Sequence, residues 1–301
     1  MGWLKKMPTR THKIETPEKL QIKRIHHAKS YGLTVDLNAC VGCELCSLIC
    51  PREAITITKK VKEPTQKAQR PTIEVDKEKC QYCGICTAIC PYGAVTVNVD
   101  DSTTASVVDK ESFPKLIRDI KVDTIKCPDD CKDCEDACPL DLITVTSDSK
   151  TGRITLEIER EKCPCCRICE VRCPKGAIHV RKIFTGRIRI NQNKCPANCQ
   201  DCLQVCPITD ALYISEEDNK VHVNELYCVY CGLCRNVCPE ENALELSRST
   251  IHHTQVRSGA WNKALEKLTS TAEMTKELRG KGKKKTMEAV EKRLMPRKGK
   301  K

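Results

Sequence analysis

The sequence predicts an α+β chain built from small repeated units, and three observations predict it. Cysteines cluster into six short runs, β-branched stretches flank those runs, and only 10 of 301 residues are aromatic. Of 25 cysteines, 24 lie in the runs. Four runs share the spacing C-x2-C-x2-C-x3-C-P: Cys40, Cys43, Cys46 and Cys50; Cys80, Cys83, Cys86 and Cys90; Cys163, Cys166, Cys169 and Cys173; Cys228, Cys231, Cys234 and Cys238. The other two widen the first gap by one residue: Cys127, Cys131, Cys134 and Cys138; Cys195, Cys199, Cys202 and Cys206. A proline follows the last cysteine of every run.

That spacing is the mark of bacterial-type ferredoxins with two 4Fe–4S clusters, in which the fourth cysteine of a run ligates the other cluster. Two-residue gaps let the chain coil around one cube. The three-residue gap sets the third and fourth cysteines about one helical turn apart, since a turn takes ~3.6 residues. The two thiols can then serve neighbouring cubes. Proline, with its fixed φ and no N–H, turns the chain away at that point. Gly42, Gly84 and Gly232 sit beside the second cysteine of their runs, where a missing Cβ permits close backbone approach. Zinc also takes four thiolates, but from two C-x2-C pairs separated by a loop. Six tight runs, each closed by Cys-Pro, point to six 4Fe–4S clusters and to tandem bacterial-type 2×4Fe–4S ferredoxin-like domains.

The elements follow in order. Leu33–Leu37 enters the first run and 54–58 leaves it; 72–75, 94–97, 143–145 and 212–214 repeat the pattern as period-2 strands. Turn residues at 149–152 and 217–219 join strands as hairpins. The widened runs are the third and fifth, each followed by a standard run. Cys131 to Cys199 spans 68 residues and Cys166 to Cys231 spans 65, so the third–fourth pair repeats as the fifth–sixth. The 36 residues between Cys90 and Cys127 mark a boundary.

This organisation gives a basic N-terminal arm (1–32), ferredoxin domains at 33–100, 123–184 and 185–248, a linker at 101–122, and a basic helical or disordered tail (249–301). A nested arrangement, with Phe184-Thr185-Gly186-Arg187 as a hairpin, also fits; tandem order is simpler because consecutive elements are usually neighbours. Under tandem order the crossed rule sets Cys90 with Cys40, Cys43 and Cys46, and Cys50 with Cys80, Cys83 and Cys86. It likewise sets Cys173 with the third run, Cys138 with the fourth, Cys238 with the fifth and Cys206 with the sixth.

The net charge of +12 is concentrated at the ends: residues 276–301 carry +9 and residues 1–32 carry +6, leaving −3 for residues 33–275. Six all-thiolate clusters at roughly −2 each would take that middle to about −15. The tail lacks interleaved aromatics, so a partner-docking or solvated end is a better reading than a nucleic-acid grip. Trp261, Leu265 and Leu268 have the spacing of an amphipathic helix that lies on a partner or on the body. Cys165, outside the run pattern, reads as a small residue fitting its loop. The first residues, MGWLKKMPTRTHK, lack an apolar stretch and no segment has ~18 apolar residues in a row. A cytoplasmic protein without a membrane span is the expectation. There is no nucleotide loop, no flavin fingerprint and no catalytic constellation, so no active site of its own is expected.

The segments 30–37 (SYGLTVDL) and 111–120 (ESFPKLIRDI) resemble the polyferredoxin subunit of formylmethanofuran dehydrogenases from methanogens. The resemblance extends over roughly residues 30–248. It implies an electron wire feeding low-potential electrons to a tungsten or molybdenum enzyme that reduces carbon dioxide. The partners would be the other subunits of that complex; the alternatives are a polyferredoxin serving a hydrogenase or heterodisulfide reductase, or a free-standing electron carrier or store.

Overall fold

A computed structural model describes residues 10–26, 29–60, 66–100, 102–103, 107, 113–147, 154–256 and 259–270. The strands are β1 Arg10–Glu15, β2 Lys19–His26, β3 Lys29–Asp36, β4 Ile55–Thr58, β5 Thr72–Val75, β6 Val95–Val99 and β7 Ser102–Thr103, followed by β8 Ile120–Val122 and β9 Ile143–Ser147. The remainder are β10 Ile154–Ile158, β11 Ile178–Val180, β12 Phe184–Ile190, β13 Leu212–Ile214, β14 Val221–Val223 and β15 Leu244–Ile251. Helices α1 Leu45–Ile49, α2 Ile85–Ile89, α3 Asp133–Asp136, α4 Ile168–Arg172, α5 Asp201–Val205 and α6 Leu233–Val237 each fall between the later cysteines of one run. A seventh, α7, spans Gly259–Thr269.

Each unit is two strand pairs and two one-turn helices. In the first, β3 pairs antiparallel with β6 (Val35 opposite Val95), and β4 with β5 (Ile55 opposite Val75). In the second, β8 pairs with β11 and β9 with β10. In the third, β12 pairs with β15 and β13 with β14. The outer ladder of a unit thus joins the strand before one run to the strand after the next. Between the ladders the short helices pack pairwise, α1 on α2, α3 on α4 and α5 on α6. Strand alternation places Leu33, Val35, Val95 and Val97 in the core.

Two regions differ from expectation, and the hairpin of the nested alternative gives way to a strand. Residues 10–26, expected within a basic arm, form a hairpin on the first sheet, whose strand order is β1-β2-β3-β6-β7. Leu20 and Ile22 of β2 are fully buried, and burying such side chains contributes ~1.5–3 kcal/mol each. Apolar alternation therefore overrides the surrounding lysines. The 101–122 linker is not a free connection at its end: it runs into β8, and Phe113 is buried edge-on against Trp261 at 5.2 Å. Phe184-Thr185-Gly186-Arg187 begins a continuous strand and is not a hairpin. Gly186 makes that strand possible, because a Cβ there would lie 2.0 Å from the Ser247 carbonyl oxygen.

Helix α7 lies against α1 and β15 with Leu265 and Leu268 buried, so its apolar face covers the body. The 149–152 turn, residues 111–112 and the tail from 271 lie outside the described residues.

Candidate metal centres

The local chain conformation at each run is imposed by residues with φ above zero. Gly84 (φ 84°) and Gly232 (φ 85°) start α2 and α6 in the left-handed region. Arg167 (φ 73°) takes the same place before α4 without being glycine, which costs roughly 1–2 kcal/mol. Its guanidinium is held 2.6 Å from the Glu170 carboxylate one turn on. The widened runs use another device. Asp130 (φ 57°) and Asn198 (φ 60°) close tight turns in which the N–H groups of Cys131 and Cys199 donate to Pro128 and Pro196. Asp and Asn tolerate this conformation better than other side chains, which is why the extra residue is readable as a turn.

The thiols fall into groups of electrostatic neighbours. Cys40, Cys43 and Cys46 gather with Cys90, and Cys80, Cys83 and Cys86 with Cys50. Cys127, Cys131 and Cys134 gather with Cys173, and Cys163, Cys166 and Cys169 with Cys138. Cys195, Cys199 and Cys202 gather with Cys238, and Cys228, Cys231 and Cys234 with Cys206. Two of these groups line well-defined cavities. The sixth surrounds about 400 Å³ of space, part of it open to solvent, walled also by Ile188, Ile208 and Leu246. The fourth surrounds about 430 Å³, walled by Ile120, Ile143 and Val180.

Among the described residues, no three His, Cys, Asp or Glu side chains converge as ligands of a single ion do. A zinc ion would draw four sulfurs to ~2.3 Å of one point. At the fourth and sixth groups the thiols surround a volume with aliphatic walls, and the donor set is sulfur alone. That is the chemistry a cubane cluster requires. Burial pushes several of the thiols up, to about 11 at Cys40 and Cys80 and about 12 at Cys202, whereas the Cys165 thiol beside it draws Cys163 down to about 7. Ligation needs the thiolate, so binding a cluster must expel protons and is favoured as pH rises.

Backbone N–H groups stand ready for the sulfurs. Ala54 donates to Cys50 Sγ (3.3 Å), Leu142 to Cys138 Sγ (3.4 Å) and Ala177 to Cys173 Sγ (3.2 Å), always from four residues on. The turn after Cys-Pro therefore has a second task, directing one N–H at the crossing ligand. Cys165 is buried in the left-handed region (φ 58°) and lines the cavity of the fourth group, its thiol 3.9 Å from the Cys163 carbonyl oxygen.

Spacing alone did not foretell how the three units meet. Glu44, between Cys43 and Cys46, is 4% exposed and accepts from Arg248 Nη2 (2.7 Å) and Arg235 Nε (3.0 Å). Asn236 donates to the Gly42 carbonyl. These contacts set the first thiol group against the sixth. Arg118 donates to the carbonyls of Cys163 (3.2 Å) and Cys90 (3.1 Å), setting the fourth group against the first. Lys182 donates to the Cys228 carbonyl (2.9 Å) and lies 5.1 Å from the Tyr230 ring, setting the fourth against the sixth. One group of each unit thus lies at a boundary with each of the other two units. Apart from the Asn236 amide, the bridging donors are long cations capping backbone carbonyls of a cysteine loop or a buried carboxylate.

Comparison with known proteins agrees with this chemistry. Residues 39–94 and 187–239 each match a family described as a 4Fe-4S dicluster domain. The class is therefore a polyferredoxin-like 4Fe–4S protein. The chain is 36% identical over 105 residues, 31% of its length, to the aliphatic sulfonate oxidoreductase polyferredoxin-like subunit of Pyrococcus furiosus, covering 58% of that protein. It is 43% identical over 44 residues, 14% of its length, to hydrogenase-4 component A of Escherichia coli, covering 20% of it. The chain thus spans less than two thirds of these curated relatives. Among solved structures, a chain of the formate dehydrogenase–heterodisulfide reductase–formylmethanofuran dehydrogenase complex from Methanospirillum hungatei superposes with a TM-score of 0.77 at 28% identity. That match covers 86% of this chain and 91% of the other. Among the described residues no helix is long and apolar enough to cross a membrane.

Proposed function

We propose that the chain carries six 4Fe–4S clusters and conducts low-potential electrons as a subunit of a formylmethanofuran dehydrogenase complex that reduces carbon dioxide. The observation that carries the reading is the set of six four-thiol groups, three of which face one another across the unit boundaries. Its 24 ligands are the run cysteines, three from one run and the fourth from its partner run in the same ferredoxin-like domain. When bound, such clusters supply one-electron couples whose potentials follow from ligand set, hydrogen bonds and exposure.

The protein's own residues do the rest. Backbone N–H groups at Ala54, Leu142 and Ala177 stabilise sulfur as negative charge accumulates there. Aliphatic walls at the fourth and sixth groups line the space beside the sulfurs and limit the water that reaches them. Arg118, Lys182 and the Glu44–Arg235–Arg248 network fix the spacing between groups of different units. The placement in that complex is supported by the 0.77 superposition over most of both chains. Association with a hydrogenase is the second reading, favoured by the short match to hydrogenase-4 component A. Copurification of the native protein under anaerobic conditions tests both. Co-elution with tungsten- or molybdenum-containing subunits supports the first, and co-elution with a nickel-containing enzyme supports the second.

A further inference from the structure

The turn after Cys90 and Pro91 places Tyr92 at the meeting of the first and third units, with 3% of its surface exposed. Its ring belongs to the first unit, yet the groups around its hydroxyl are Cys231, Cys43 and Cys206, two of them from the third unit. The hydroxyl is completely enclosed and finds no hydrogen-bond partner of ordinary geometry among the described residues. A buried, unpaired hydroxyl costs ~1–3 kcal/mol, so it should have a partner in the working molecule. The Tyr82 hydroxyl is also unpaired, but it lies by Cys80 of its own unit, under the Arg24 guanidinium. Tyr92 alone of the two crosses a boundary.

The wall around it is rigid. The Glu44 N–H reaches the Cys231 carbonyl at 3.5 Å, and a Cβ on Gly232 would lie 2.4 Å from the Glu44 carboxyl carbon. Arg248 donates to the Tyr230 carbonyl at 2.7 Å. The cysteine loop of the third unit is therefore held against Tyr92 by contacts that do not involve Tyr92. Removing the hydroxyl need not move the loop.

We infer that the Tyr92 hydroxyl donates a hydrogen bond across the unit boundary to the sulfur of Cys231, and so sets the reduction potential at the sixth thiol group from within the first unit. The inference rests on the proposal that these thiols hold 4Fe–4S clusters. A donor to sulfur favours the more negatively charged, reduced state and raises the potential. Tyr92 is in this sense a positioning residue, coupling the potential at one group to the docking of its neighbour.

The test is a potentiometric titration of the full chain, followed by electron paramagnetic resonance, for wild type and Tyr92→Phe. In the variant one midpoint should fall, by up to about tenfold in the reduction equilibrium, ~59 mV for one electron. Iron and sulfide should match wild type. Unchanged midpoints at full iron content would overturn the inference while leaving the cluster reading intact. Wild type lacking iron and sulfide would overturn the cluster reading itself. If Tyr92→Phe loses iron, 3-fluorotyrosine at position 92 decides: it is nearly isosteric and a stronger donor, so the same midpoint should rise. No shift there contradicts the inference.

Discussion

At the scale of single residues, the buried ion cluster is the least negotiable contact. Glu44 is enclosed beside Arg248, itself 1% exposed, and each neutralises charge that the interior would otherwise reject. Glu44→Gln keeps shape and removes the negative charge that faces Arg235 and Arg248. Breaking a buried pair on one side costs about 3–5 kcal/mol. Urea unfolding should show a loss of that order, and a loss under ~1 kcal/mol, the range of an exposed pair, would mean that water reaches the site. A second expectation concerns the crossed thiols. Cys50 lies among Cys80, Cys83 and Cys86, with its Sγ accepting from Ala54. Cys50→Ser should therefore perturb the spectrum of the cluster held by Cys80, Cys83 and Cys86 and spare that of Cys40, Cys43 and Cys46. The reverse pattern would contradict crossed ligation. None of the bridging side chains announces itself in the sequence. Glu44 reads as one more loop carboxylate, and its partners stand 191 and 204 residues away.

At the scale of elements, the cysteine spacing and the alternation at 33–37, 54–58 and 72–75 gave direct sight of the first unit's loops and inner strands. Cysteine gaps are a local geometric constraint, so they survive without context. The N-terminal hairpin was legible in principle, since Leu20 and Ile22 alternate with polar residues in β2. The dense lysines and arginines around them masked that alternation. Strand β12 was obscured for the opposite reason. Its glycine suggests a turn, whereas Gly186 is there because the neighbouring strand passes at Ser247, with a register shift between Thr185 and Gly186. Gly186→Val should thus push β12 from β15. The expected cost is at least ~1–3 kcal/mol, the range for overpacking a filled site. Thermal unfolding followed by circular dichroism measures it, and an unchanged midpoint would show that the ladder relaxes freely.

At the scale of the molecule, three units meet so that the first, fourth and sixth thiol groups lie at the boundaries between units. The charge is divided too, with +9 on residues 276–301 against a middle that clusters would make strongly negative. None of the 24 run cysteines lies in that tail. Deleting residues 276–301 should leave the visible spectrum unchanged and weaken association with the partner enzyme. Added salt should weaken the intact protein's association in the same way, since screening acts within ~8 Å at physiological ionic strength. Loss of clusters on truncation would make the tail part of the fold. Metal analysis decides whether six thiol groups each hold a cubane. Anaerobically prepared protein should contain about 24 iron and about 24 acid-labile sulfide per chain, from four of each per cluster. Stoichiometric zinc with little sulfide would rule the cubanes out.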